Sequence, residues 1–267
     1  MKLSKQTAEK WYKKLGFPAE ADAPFFEALD RAKLEGEMSL ADYDLSCEDG
    51  EANLLHFLCF CEELEEAYNE RNIPESILLD TLGDIVVWTK TWSGLKCGLF
   101  LGELEWLSRH LGMRLFKLGR LQFCLADSEF DILEKGLEKG ASVIEVHIPE
   151  GEPLLYDECV KSLDASRKFF AEYFPEYDYS LFTCHSWLLD SSLKEFLPSD
   201  SNILKFASLF KIARNDPSDA LLGYLFKWGI KREELVGCEP VSSLAKKVKA
   251  SALDGRTFFE SLGWIEK

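Results

Sequence analysis

Apolar residues recur at helical spacing through the first part of the chain. Leu54, Phe57, Leu58, Cys61, Leu64 and Tyr68 form one stripe of a helix beginning near Asn53, and Glu62, Glu63, Glu65 and Glu66 occupy most of its remaining surface. Ile77, Leu78, Thr81, Leu82, Ile85, Val86 and Trp88 mark a second helix, entered through Pro74-Glu75-Ser76, where a proline suits the first turn. Shorter helices are predicted at 5–15, 24–35 and 101–110. The pattern changes after Gly112. Leu115, Phe116, Leu118, Leu121 and Phe123 interleave with Arg114, Lys117, Arg120 and Gln122, which predicts strand, and similar short runs follow at 142–148, 179–188, 203–212, 220–228 and 257–265. Helices are predicted between some of them, at 157–174, closed by Pro175, and at 240–253, ending at Gly255. Six strands with two main helices provide too few crossovers for a fully parallel sheet, so the expected class is α+β with one principal sheet. The expected boundary lies near 110–113, between an all-helical domain, 1–111, and a sheet-bearing domain, 112–267.

Composition narrows the partners. The chain has 267 residues, 46% of them hydrophobic, which is enough for a sizeable core, and a formal net charge of -16. Residues 1–111 hold 11 basic and 22 acidic side chains and the remainder holds 20 and 25, so most of the excess lies in the helical part. Such a field disfavours nucleic acid and anionic membrane as partners. No apolar run approaches the roughly 20 residues of a membrane helix, and the Met1-Lys2-Leu3-Ser4-Lys5-Gln6 start leads into charged sequence; a cytoplasmic location is expected. The cysteines (Cys47, Cys59, Cys61, Cys97, Cys124, Cys159, Cys184 and Cys238) include no CxxC pair, and Cys59-Phe60-Cys61 suits neither a zinc knuckle nor a redox motif. They are expected to be buried small residues in a reducing compartment, and no metal is expected.

Candidate chemistry concentrates in the second part. There is no GxGxxG, Walker-type, HExxH or GxSxG motif, which removes the usual support for redox, NTPase, zinc-protease and hydrolase readings. Of the four histidines, His56 and His110 fall in or at the end of predicted helices and read as structural, whereas His147 and His185 fall in predicted strands. Strand alternation places Val143, Glu145 and His147 on one face and Ile144, Val146 and Ile148 on the other. It likewise groups Thr183, His185 and Trp187 opposite Phe182, Cys184 and Ser186. If the two strands are neighbours, His147 and His185 line one cleft. An imidazole beside a carboxylate is a ready acceptor for the proton of an amine or hydroxyl nucleophile; two partly buried histidines satisfied by backbone or water are the structural alternative. Cys184 cannot form a dyad with His185, because adjacent strand residues point to opposite faces. The basic residues after 204 are spread over several elements and read mostly as solvated surface, with local positive potential for a phosphorylated cofactor as the other reading.

Four strings carry a family likeness: Leu118-Gly119-Arg120-Leu121-Gln122-Phe123, Val146-His147-Ile148-Pro149, Cys184-His185-Ser186-Trp187-Leu188-Leu189-Asp190 and Leu197-Pro198-Ser199-Asp200-Ser201-Asn202-Ile203. Together they resemble a bacterial acyltransferase family that pairs an N-terminal helical domain with a C-terminal domain similar to the GNAT superfamily of N-acetyltransferases. The resemblance implies a mixed, mainly antiparallel sheet flanked by helices, with two splayed central strands admitting the pantetheine arm of an acyl-CoA co-substrate. It further implies direct attack by an amine acceptor, on a small molecule or peptide, with Glu145 and His147, or His185, as general base. That superfamily's diphosphate-binding loop, a Gln or Arg followed by xxGxG/A, does not occur here. Ser191 and Ser192 stand in its place and open a short helix whose amides face an anion, with Asp190 adjoining as an expected source of repulsion. The alternative function is a non-catalytic small-molecule or partner-binding protein that retains the sheet and holds a polar ligand between Arg120, Gln122, Trp187 and Asn202.

Overall fold

The computed structural model describes residues 1–43, 47–96 and 98–267. In chain order it contains α1 (Lys5–Leu15), α2 (Asp22–Arg31), α3 (Gly50–Glu70), α4 (Glu75–Lys96), α5 (Leu104–Leu111), β1 (Leu115–Leu118), β2 (Leu121–Asp127), β3 (Ser142–His147), α6 (Tyr156–Tyr173), β4 (Leu181–Ser186), α7 (Asn202–Ala207), β5 (Lys211–Pro217), α8 (Ala220–Leu225), α9 (Ser243–Leu253) and β6 (Phe259–Glu266). The six strands form one mixed sheet in the order β1-β2-β3-β4-β6-β5, so helices precede a sheet-bearing α+β segment as the hydrophobic pattern predicts.

The chain packs as two compact units, one of 1–124, 148–152 and 168–175, the other of 125–147, 153–167 and 176–267. In the first, Asp49 caps α3 by accepting from the Ala52 amide at 3.0 Å. The predicted stripe of α3 is buried throughout, and so are Leu55, Cys59 and Phe60, which makes this helix apolar on most of its circumference. Each such side chain contributes about 1.5–3 kcal/mol on burial. Trp11 of α1 is fully buried and donates its indole N–H to Glu62 at 2.8 Å. β1 and β2 form a hairpin through Gly119-Arg120, with Leu118 opposite Leu121. Gly119 has φ +76°, a value suited to the first central position of a tight hairpin turn and one that side chains disfavour.

In the second unit, β3 and β4 run parallel, β4 and β6 antiparallel, and β5 and β6 antiparallel. Two predicted strands are corrected here. The run at 203–212 begins as helix α7, and strand β5 starts only at Lys211. The helical turn is favoured because Phe206 is buried while Ile203 and Leu204 pack on the cluster of Leu193, Leu221, Leu222 and Phe258. The run at 220–228 is helix α8 instead of a strand, with Leu221 and Leu222 buried in the same cluster; a short continuous apolar run has no periodicity to separate the two. The strand number nevertheless stays at six, since the first predicted strand folds back as two.

Of the cysteines, Cys59, Cys61, Cys124, Cys159 and Cys184 are buried, Cys47 and Cys238 are partly exposed, and all seven are free thiols; Cys97 lies outside the described residues.

Candidate active site

The register between β3 and β4 pairs Ile144 with Phe182 and Glu145 with Thr183. Residues paired across a parallel ladder point to the same side of the sheet, and alternation carries that side two residues further, to His147 and His185. Glu145, His147, Thr183 and His185 therefore share one face, and the two histidines occupy matching positions just past the paired stretch. Across β4 and β6, Thr183 pairs with Trp264 and His185 with Leu262; across β6 and β5, Leu262 pairs with Arg214 and Glu260 with Asp216. Arg214 and Asp216 thus join the same face.

The floor of this face is apolar. Val143, Leu181, Leu262 and Trp264 are buried together with Ala126, Ile132 and Leu137, and Phe130 packs against them. On that floor stand the polar groups. His147 Nε2 lies 3.3 Å from Glu145 Oε2, with the two side chains 31% and 23% exposed, so the pair is sheltered yet reachable. His185 is one-third exposed, its ring 5.4 Å from that of Phe130 and roughly edge-on. The Arg214 guanidinium lies 4.3 Å above Phe130, so the one ring contacts both the cation and the imidazole. His185 Nε2 is 3.7 Å from Asp216 Oδ2, an ion-pair separation and too long for a hydrogen bond. Asp216 Oδ1 accepts from Arg214 Nε at 3.0 Å, and this bond holds the Asp216 carboxyl below the usual carboxylate range, with smaller contributions from the charges of Arg214 and His185.

Cys184 faces the other way. It is 2% exposed, and burial pushes its thiol pKa well upward, which suits packing and not nucleophilic attack. Trp187 opens a short 3-10 turn, Trp187–Leu189, directly after β4, with its ring 5.6 Å from that of Tyr224. Asn202 begins α7 and is exposed. Ser191 and Ser192 open the short helix Ser191–Glu195, but its first turn is satisfied from within the chain. The Ser192 amide donates to Asp190 Oδ1 at 2.8 Å and the Leu193 amide to the Asp190 carbonyl at 3.0 Å. Asp190 itself is 3% exposed and also accepts from the Phe259 amide at 3.0 Å. The Asp190 carboxylate, expected to adjoin an anion site, is a buried cap that ties β6 to this helix.

Arg120 and Gln122 lie in the first unit, both buried. Arg120 Nη2 donates to the Glu152 carbonyl at 2.8 Å, and Lys117 pairs with the Glu152 carboxylate at 2.7 Å, so this corner anchors the segment after β3. Gln122 lies beside a buried group in which Asp84 Oδ2 accepts from Trp106 Nε1 at 3.0 Å and sits 3.3 Å from His110 Nε2. The structure thus brings Glu145, His147 and His185 onto one face, ties Arg120 to the Glu152 carbonyl within the first unit, and buries Gln122 there. Sequence reasoning misses Phe130 and Asp216 and reaches Arg214 only as one of the basic residues after 204; the alternation Arg214-Asn215-Asp216 is the available signal, and it lies beyond 212, where the predicted strand stops.

Residues 115–265 match the family described as GNAT-like C-terminal domain. The chain belongs to that family. No curated protein sequence matches it. Among solved structures, an acyltransferase in complex with decanoyl-CoA is 25% identical and superposes with a TM-score of 0.74, over 97% of this chain and 87% of that one. An acyltransferase in complex with CoA and 10C-teicoplanin is 26% identical with a TM-score of 0.70, over 81% of this chain. The matched part spans 66% of that acyltransferase. A complex with decanoyl-CoA and teicoplanin, at 23% identity and TM-score 0.74, adds support for the fold. Among the described residues of this GNAT-like protein, no group of three or more His, Cys, Asp or Glu side chains is placed to hold a metal, and no helix is long and apolar enough to cross a membrane.

Proposed function

We propose that this GNAT-like protein transfers an acyl group from acyl-CoA to an amine on a small molecule or peptide. The observation that carries the reading is the placement of His147 and His185 at matching positions on parallel neighbouring strands, just past the residues that pair them. Parallel strands that pair briefly and then continue offer an opening for a slender thioester arm, and two imidazoles on one face beside it give proton transfer in both directions. The fit is weaker at the diphosphate end, where the first-turn amides of the Ser191–Glu195 helix are already occupied. Side-chain cations would have to take that role.

In this mechanism His147, oriented by Glu145, accepts the proton of the attacking amine. The amine nitrogen forms a bond to the thioester carbonyl carbon, the carbonyl electrons move onto oxygen, and their return expels the thiolate. His185, with Nε2 3.7 Å from Asp216 Oδ2, supplies the proton that the thiolate takes up. Phe130 and the apolar floor exclude water from the reacting carbon and strengthen these charge interactions. The acyltransferases solved with CoA ligands and teicoplanin are a precedent for a large second molecule held with the acyl donor.

The test is direct. Acyl-CoAs of increasing chain length are added to the full chain, and melting temperature and thiol release in the presence of a panel of amines are measured. Saturable stabilisation with thiol release supports the reading. Absence of stabilisation by every thioester, with stabilisation by some other small molecule, supports a non-catalytic binding protein on this sheet.

A further inference from the structure

The carboxyl ends of β3, β4 and β5 lie at one end of the sheet, since β4 and β5 each run antiparallel to β6 and β3 runs parallel to β4. Strand β5 reaches that end through a bulge. Ile212 pairs with Gly263 and Arg214 with Leu262, so Ala213 is the extra residue. Without it, Ala213 and Asn215 would face the histidines. The bulge turns Arg214 and Asp216 to that side and leaves Asn215 on the other, where it accepts from the Ser261 hydroxyl at 2.6 Å. The pair so placed is bonded unevenly. Arg214 Nε and Nη2 both donate to the same oxygen of Asp216, Oδ1, the first at 3.0 Å. Oδ2 is buried without a hydrogen bond, which costs free energy unless a donor comes within reach. The nitrogen beside it is His185 Nε2, at 3.7 Å. A shift of roughly 0.7 Å brings the two into hydrogen-bond range, and catalytic hydrogen bonds are commonly long before substrate is bound. Phe130 braces both sides: its ring meets that of His185 at 73° and lies under the Arg214 guanidinium, and its carbonyl accepts from the Ser128 hydroxyl at 2.7 Å.

We propose that Arg214 and Asp216 are positioning residues for His185, which hold the neutral imidazole with its hydrogen on Nε2 and leave Nδ1 as the nitrogen that exchanges a proton with the reacting groups. Arg214 fixes the carboxylate so that Oδ2 addresses Nε2. A neutral imidazole carries one N–H and one lone pair, and the partner of one nitrogen sets the state of the other. In the acyltransfer reading, on which the final step rests, the imidazolium Nδ1–H bond breaks, the departing thiolate gains that proton as an S–H bond, and the ring is left as the neutral Nε2–H form. The tautomer itself is a property of the unliganded protein and stands apart from that reading.

The full chain and its Asp216→Asn, Arg214→Ala and Arg214→Lys variants are prepared with isotopically labelled histidine. Proton–nitrogen correlation spectra of the imidazoles are recorded at about pH 9, well above the usual imidazole pKa of about 6.5. A His185→Gln sample identifies the resonance among the four histidines. The expected result is an Nε2–H tautomer for His185 in the parent. It shifts toward Nδ1–H in Asp216→Asn, where an amide donor replaces the accepting oxygen, and in Arg214→Ala, and is restored in Arg214→Lys. A parent ring in the Nδ1–H form, or a ratio unmoved in Asp216→Asn or Arg214→Ala, overturns the proposal. The same variants are assayed for acyl transfer: a kcat lower by about tenfold with KM for acyl-CoA nearly unchanged supports the positioning role, and an unchanged kcat overturns it. Absence of transfer in the parent with every amine counts against the acyltransfer reading alone, because the spectra still decide the tautomer.

Discussion

At the residue scale, two histidine-carboxylate pairs stand on one sheet face for different reasons. Glu145 and His147 are two apart on one strand, so their proximity follows from strand alternation alone. His185 meets Asp216 only through two strand pairings, by way of β6. Replacing the proposed base, His147→Ala, is expected to lower kcat about 10²–10⁴-fold, and Glu145→Gln to lower it less while leaving KM for acyl-CoA nearly unchanged; steady-state kinetics with the best amine acceptor checks both. If His147→Ala and His185→Ala both retain full activity, the catalytic assignment is wrong even though the fold stands. A second residue-scale prediction concerns Asp84. Burial acts to raise its pKa, but the neighbouring His110 ring, with Nε2 3.3 Å from Asp84 Oδ2, and the Trp106 hydrogen bond outweigh it and hold the carboxyl below its usual range. A carboxyl depressed in the folded state stabilises the fold above its unfolded pKa, about 3.9, and that contribution is lost as pH falls through the folded value. Asp84→Asn should therefore cost about 1–3 kcal/mol near neutrality, with the gap to wild type closing as urea unfolding is repeated from pH 6 towards pH 3.

At the scale of elements, the helices α3 and α4 were legible because each is long enough for several turns of a repeating apolar stripe. Strands β3, β4 and β6 were legible from short β-branched and aromatic runs. Strand β5 was not: it is an edge strand whose residues are mostly exposed, and its place in the sheet rests on backbone hydrogen bonds to β6, which leave no apolar alternation to read. Its irregular register between Ile212 and Arg214 further disguises the period. Helix α8 was misread for the opposite reason, an apolar run too short and too continuous to show any period. Close packing at the sheet yields a third prediction. A Cβ on Gly263, which sits between Cys184 and Ile212, would lie 2.7 Å from both Leu189 Cδ1 and Phe210 Cβ. Gly263→Ala is expected to destabilise by about 1–3 kcal/mol, read as a lower urea midpoint with an unchanged slope.

At the scale of the molecule, the helical unit is completed by residues from far along the chain. The Phe116 ring packs at a tilt, with centroids 4.9 Å from Phe169 and 5.0 Å from Phe174, approaches Tyr68 at 6.0 Å, and Arg71 lies over Phe174 at 4.6 Å while donating to the Tyr173 carbonyl. A fragment of residues 1–111 lacks all three phenylalanines. It should bind a hydrophobic dye and melt well below the full chain, and a fragment that melts cooperatively at the parent temperature would contradict this account.

Periodicity is a local property, so residue order alone determined which segments are long helices, where sheet replaces helix, and which way Glu145 and His147 point together. Strand pairing is set by hydrogen bonds between backbones distant in sequence, and side-chain identity constrains those bonds only weakly. For that reason the tertiary structure alone decided that His185 stands level with His147, that Arg214 and Asp216 reach the same face, and that Asp190 is a buried cap.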